Sequence, residues 1–189
     1  MKKIITLMVS TVFAIFFAMG TVSASSEMLS SDGNKEFLKV QILKSIQEEY
    51  PNAQFIEKAE IPNQSIVPFQ GAASPLTSLN VYAAISTIYP QYEYFSENQL
   101  ASIEDHGGDE MYIVTREIGY SSNTSRIAQM DGVNISMLMQ QDIDLNGDNI
   151  VDGVFRWWDA SGYEKGKFTY QATSINYPWN TMNTWMNIR

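Results

Sequence analysis

Cysteine is absent from this chain of 189 residues, histidine occurs once, and 12 lysines and arginines stand against 21 aspartates and glutamates. The first absence excludes disulfides and thiol chemistry. The second confines any Ser–His or His–metal chemistry to His106 and leaves the usual catalytic zinc ligand sets short of members. The formal net charge of −9 argues against nucleic acid as a partner, because phosphate contacts need clustered cations. Beyond the first 24 residues no long apolar run recurs, so no stable membrane anchor is expected.

What is present begins with a leader. Lys2 and Lys3 form a basic start, Ile4 to Met19 a mostly apolar run, and Val22, Ser23 and Ala24 a small-residue cleavage site, the pattern of a secretory signal peptide over 1–24. The protein is therefore expected to be secreted or periplasmic. Cleavage after Ala24 removes those two lysines and no acid, which takes the charge from −9 to −11. Residues 25–33 are polar and Ser-rich and read as a disordered segment, and 34–189 as a single globular domain.

Within that domain, Phe37, Leu38, Ile42, Leu43, Ile46 and Tyr50 recur at three- and four-residue spacing, which predicts an amphipathic helix over 34–50. Pro51 and Asn52 end it. Prolines and a glycine make Ile61 to Thr77 a loop. From 78 to 189 the pattern becomes short β-forming runs divided by turns: Leu79–Ile88, Met111–Ile118, Ser125–Met130, Val133–Gln140, Val154–Trp158, Lys167–Ile175 and Thr184–Ile188. The fold class expected is α+β, a predominantly antiparallel β-sheet or sandwich carrying one N-terminal helix.

One stretch carries metal chemistry. Asp144, Asn146, Asp148 and Asp152 stand first, third, fifth and ninth in a nine-residue loop, and Ile150 offers a main-chain carbonyl at the seventh position. Ca²⁺ takes six to eight oxygens at flexible distances, and alternating short oxygen-bearing side chains can wrap one ion. Asn149 at the sixth position is suited to a left-handed turn, and Asp142 is an additional acid nearby. The EF-hand glutamate is missing, since Phe155 falls at the twelfth position, and the flanks read as strands. The stretch therefore resembles the D-x-[DN]-x-D loops between strands of extracellular repeats. That likeness implies structural Ca²⁺ on Asp144, Asn146, Asp148, Ile150 and Asp152. The competing reading is a polar hairpin loop, because the same residues favour turns.

Other constellations are less directive. His106 lies among Glu104, Asp105, Gly107, Gly108, Asp109 and Glu110, which reads as a hairpin turn bearing solvated charges unless His106 serves as a general base. Glu93, Glu97, Glu104, Glu110 and Glu117 supply enough carboxylates for a glycosidase pair, without a spacing that selects one. Trp157 and Trp158 must point to opposite faces of a strand, so one is expected in the core and the other outward or under a loop. An outward Trp beside Tyr would suit sugar stacking, and Tyr177, Trp179 and Trp185 lie near the C-terminus.

Asp105–Gly108, Arg116–Tyr120, the turn at Ala128–Gly132 and the run Phe168–Gln171 together resemble the YolA-like uncharacterised secreted proteins of bacteria, from about Ser78 to the C-terminus. That resemblance implies an exported domain and brings no catalytic residues with it. The leading expectation is a non-catalytic, calcium-stabilised module that binds an extracellular protein or a surface glycan. The alternatives are a small secreted hydrolase of a cell-wall or extracellular polymer, acting through carboxylates or His106, and a structural or matrix protein.

Overall fold

The computed structural model describes residues 32–56 and 74–189. The expected leader, nearly all of the polar segment after it, and most of the expected loop at 61–77 lie outside the described residues.

Helix α1 spans Asp32–Glu49. Its buried stripe is narrow. Leu38, Ile42 and Ile46, spaced by four, are at most 1% exposed, whereas Phe37 is 51% exposed. Each of the three buried side chains contributes about 1.5–3 kcal/mol of apolar burial, and the helix docks through them.

The strands follow in order: β1 (Gln54–Ile56), β2 (Ser78–Ser86), β3 (Glu93–Tyr94), β4 (Met111–Ile118), β5 (Ile127–Met130), β6 (Val133–Asn134), β7 (Ser136–Asp144), β8 (Gly153–Asp159), β9 (Gly166–Thr173) and β10 (Thr181–Ile188). They form a six-stranded sheet in the order β1-β7-β8-β4-β2-β3 and a four-stranded sheet in the order β10-β9-β5-β6. Every strand pair is antiparallel. The α+β expectation holds, as a sandwich with one helix near its N-terminus.

The layers are helix, six-stranded sheet, four-stranded sheet. Between helix and sheet lie Leu38, Ile42, Ile46, Ile85, Val114, Phe155 and Trp157. Between the two sheets lie Leu79, Ile113, Met130, Trp158, Phe168 and Met186. The larger sheet is thus buried on both faces, and this corrects the expectation for its tryptophans. Trp157 and Trp158 do point to opposite faces, but both are buried, at 0% and 5% exposure. Their indole N–H groups donate to Tyr92 Oη at 2.7 Å and Thr115 Oγ1 at 2.9 Å.

Strand β2 carries a bulge between Val81 and Ala83. An extra residue in one strand reverses the alternation of faces. Tyr82 therefore shares the helix side with Ala83, and its hydroxyl lies 2.9 Å from Ser45 Oγ on α1. Because β3 pairs only with Ala83 and Ala84, the first half of β2 has no strand partner on that flank among the described residues.

Candidate functional site

The strands of the four-stranded sheet, β5, β6, β9 and β10, are free of acid in an acidic molecule and contain one lysine. Alternation sends Phe168, Tyr170, Ala172, Met186 and Ile188 into the core. The opposite face must then carry Lys167, Thr169, Gln171 and Thr173 on β9, set against Asn187, Trp185, Asn183 and Thr181 on β10. Gln129 and Asn134 extend it and hydrogen-bond each other at 3.0 Å. Thr173 and Thr181 bring their hydroxyls to 2.8 Å across the strands. Trp185 is 36% exposed, and Lys167 Nζ stands 4.6 Å from its ring centroid. In the turn beyond β9, Trp179 is 79% exposed and meets Tyr177 edge-on at 5.7 Å.

Trp185 divides two cavities. One of about 320 Å³ lies over the sheet, among Gln129, Thr169, Gln171 and Asn183. The other, of about 400 Å³, opens between β10 and the first half of β2, with Asn80, Tyr82, Gln99, Arg116 and Asn183 in its walls. Glu49 and Glu97 also line it, and both are exposed. Arg116, Gln129, Thr169 and Gln171 fall within the runs that carry the family resemblance, and Trp185 and Glu97 were named among the aromatics and acids, whereas Asn80, Tyr82, Gln99 and Asn183 were not singled out. An alternating strand that is acid-free in an acidic chain was the available signal.

The loop between β7 and β8 is built from Asx turns. Asp144 ends β7 and is fully buried. Its Oδ1 accepts the N–H groups of Asn146 at 3.0 Å and Gly147 at 2.7 Å, and its Oδ2 accepts Asn149 N–H at 2.7 Å and Gln54 Nε2–H at 2.9 Å. Burial alone would raise the pKa of this carboxyl. The donors, Gln54 first and then the amides of Asn149, Gly147 and Asn146, outweigh it and lower the pKa to about 2. A carboxylate has about four lone-pair sites, so protein donors occupy those of Asp144.

Asn146 Oδ1 takes Asp148 N–H at 2.9 Å, Asp148 Oδ1 takes Ile150 N–H at 2.8 Å, and Asp152 Oδ2 takes Leu145 N–H at 2.7 Å. Asn149 occupies the left-handed region at φ 65°, as its sixth position demanded, and Gly147 does so at φ 83°. Asn146, Asp148 and Ile150 are exposed, and Asp152 is half-buried. Among the described residues no group of three or more His, Asp or Glu side chains is gathered as a metal site would require. What the loop offers an ion is its remaining oxygens: the second oxygens of Asp148 and Asp152, and the Ile150 carbonyl.

His106 is not on a solvated turn. It is 2% exposed, its Nε2 lies 2.9 Å from Glu93 Oε2, and its ring meets Tyr89 at 5.6 Å. Glu93 also accepts the N–H groups of Ile103 at 2.7 Å and Glu104 at 3.1 Å. The pair pins the segment after β3 to the C-terminus, where His106 N–H donates to the Arg189 carbonyl at 2.5 Å. Of the other carboxylates, Glu117 is fully buried between the sheets, with Arg156 Nε at 2.6 Å and the hydroxyls of Tyr170 and Ser121 donating to it. Glu117 is closed by protein partners, whereas His106 Nδ1 is buried with no hydrogen-bond partner among the described residues.

A family model described as a domain of unknown function (DUF4879) matches residues 67–188, and the chain belongs to that family. Comparison with curated proteins and with solved structures finds no match.

Proposed function

We propose that this member of the DUF4879 family is an exported, non-catalytic module that binds a surface glycan on the outer face of its four-stranded sheet. The observation that carries this reading is the acid-free face itself: amides, hydroxyls, Lys167, an exposed Ile127 and a half-exposed Trp185 in a protein with 21 acids. Sugars present hydroxyls to hydrogen-bond and an apolar ring face to stack. Aromatic rings with neutral polar neighbours match both demands. A protein partner would more often be met by apolar anchors at the centre of the patch.

Export is part of the proposal and rests on the leader pattern at 1–24 and on the likeness to YolA-like secreted proteins. Calcium is a second part, as a structural ion in the 144–152 loop held by the remaining oxygens of Asp148, Asp152 and the Ile150 carbonyl, with Asp144 and Asn146 joining only by giving up main-chain N–H partners. The left-handed Asn149 and the ligand spacing support it. Its place is structural because the loop joins β7 to β8, three strands from the groove edge at β2, about 14 Å across the sheet.

The test is a glycan array with affinity electrophoresis on soluble polysaccharides. Binding is expected, and Trp185→Ala should weaken it about tenfold, the equivalent of about 1.4 kcal/mol. Unchanged binding by that variant would remove the face from consideration.

One observation favours a second reading. Glu49 and Glu97 line the same 400 Å³ cavity, as a polymer hydrolase would need two carboxylates. Both stand in solvent. Release of reducing ends that is lost in both Glu49→Gln and Glu97→Gln would establish the hydrolase instead.

A further inference from the structure

The larger cavity contains a donor without an acceptor. Arg116 projects from β4 on the helix side, opposite Asn80 of β2, and its guanidinium carbon lies 5.4 Å from the Tyr82 ring centroid. Its Nε is buried and has no hydrogen-bond partner among the described residues. The carboxylate nearest it is Glu49, whose Oε2 is 3.6 Å from Nη1 and whose side chain is 60% exposed. A loose, solvated pair of this kind holds its partner weakly. A guanidinium presents Nε–H and Nη–H as a parallel fork that fits one carboxylate in two bonds. The fork in this protein is half used.

We infer that the 400 Å³ cavity is a subsite for an acidic sugar, a uronate whose carboxylate is received by Arg116. This rests on the glycan reading of the adjoining face. Trp185 belongs to both cavities, so a chain lying on the sheet can pass one residue over the indole edge into the Arg116 side. The volume falls within the range of small-ligand pockets. Asn80, Gln99 and Asn183 supply neutral partners for the ring hydroxyls. A neutral sugar would leave Arg116 Nε as it is, a buried donor without an acceptor, whereas a carboxylate satisfies it. Of the two acids in its walls, Glu49 is the one paired with Arg116. Glu49 then acts as a competitor for the guanidinium, and this gives the proposal an unusual sign: removing an acid should tighten binding.

The experiment is calorimetric titration of the purified chain, at fixed calcium, with trigalacturonic acid, its methyl ester and neutral xylotriose. The acid is expected to bind at least tenfold tighter than its ester. Arg116→Gln should erase that difference while ester binding persists, and Glu49→Gln should strengthen acid binding several-fold. If Arg116→Gln fails to fold, Arg116→Lys keeps the charge without the fork and should lose most of the preference. Equal binding of acid and ester, or a preference that survives at Arg116, overturns the uronate subsite. If Trp185→Ala still weakens all three ligands in that case, the glycan reading stands. Absence of binding by all three ligands and by the glycan array overturns both.

Discussion

Glu117 is the residue on which the sandwich interior depends. It sits on β4 with no exposure and faces Arg156 of β8, itself 2% exposed. A buried pair adds little over apolar neighbours, but removing one member strands the other charge at a cost of about 3–5 kcal/mol. Glu117→Gln should therefore lower the urea unfolding free energy by about that amount, and a double change to Glu117→Leu with Arg156→Leu should regain much of it. A single variant within about 0.5 kcal/mol of the parent would show the pair to be solvated. Asp144 supplies a second test. Its folded pKa, about 2, lies below the ordinary aspartate range. The stability it contributes is therefore fully present above about pH 4 and is lost as pH falls toward 2. Asp144→Asn should melt lower at neutral pH, and its melting temperature should vary less than the parent's between pH 4 and 2. Equal slopes in thermal melts across that window would contradict the assignment. Single residues were the least legible level of the sequence. Trp157 and Trp158 showed their alternation but not the second layer that buries both. His106 looked solvated because Glu93 and Arg189, its partners, are distant in sequence.

At the scale of elements, the β7–β8 hairpin is where sequence and geometry meet most closely. Its oxygen spacing was legible because a nine-residue loop is local, and the left-handed Asn149 follows from the same stretch. Whether an ion fills it depends on oxygens not already taken by main-chain N–H groups. We expect millimolar Ca²⁺ to raise the melting temperature of the mature protein by ligand linkage, and Asp148→Ala to abolish the rise, because Asp148 is exposed and keeps a free carboxylate oxygen. Identical scanning-fluorimetry curves in chelator and in calcium would leave the loop a polar hairpin. The longer strands were also readable. Met111–Ile118 is β4 as expected, and the runs around Leu79, Val154 and Lys167 shift by one or two residues. Two kinds of feature were not readable. Strands β1 and β3, at three and two residues, are too short for alternation to register. The run 133–140 looked continuous, yet it leaves one sheet after Asn134 and joins the other at Ser136. Only the packing of two sheets dictates such a break. The cavity beside Trp185 was hidden for the same reason, since β2, β4 and β10 meet there from distant parts of the sequence.

The whole molecule guards most of its edges. The six-stranded sheet ends in β1 and β3, and the four-stranded sheet ends at β6 in a two-residue strand. Very short edge strands offer few free N–H and C=O groups for a second chain to pair with. Besides the first half of β2, the long edge is β10, covered toward its C-terminal end, where Asn187 N–H donates to the Leu100 carbonyl at 3.0 Å and Ser102 N–H to the Asn187 carbonyl at 2.8 Å. Its open part, around Asn183 to Trp185, faces the cavity assigned to ligand. The formal charge of −9 adds mutual repulsion between copies. A structural or matrix role needs the opposite behaviour, in which a divalent ion bridges acidic chains into assemblies. We therefore expect light scattering to return one monomeric mass from chelator to several millimolar Ca²⁺, with the calcium response confined to thermal stability. A reversible rise in mass with calcium would favour the matrix reading. If that rise vanished in Asp148→Ala, it would also move the hairpin loop from a staple within one chain to a contact between chains.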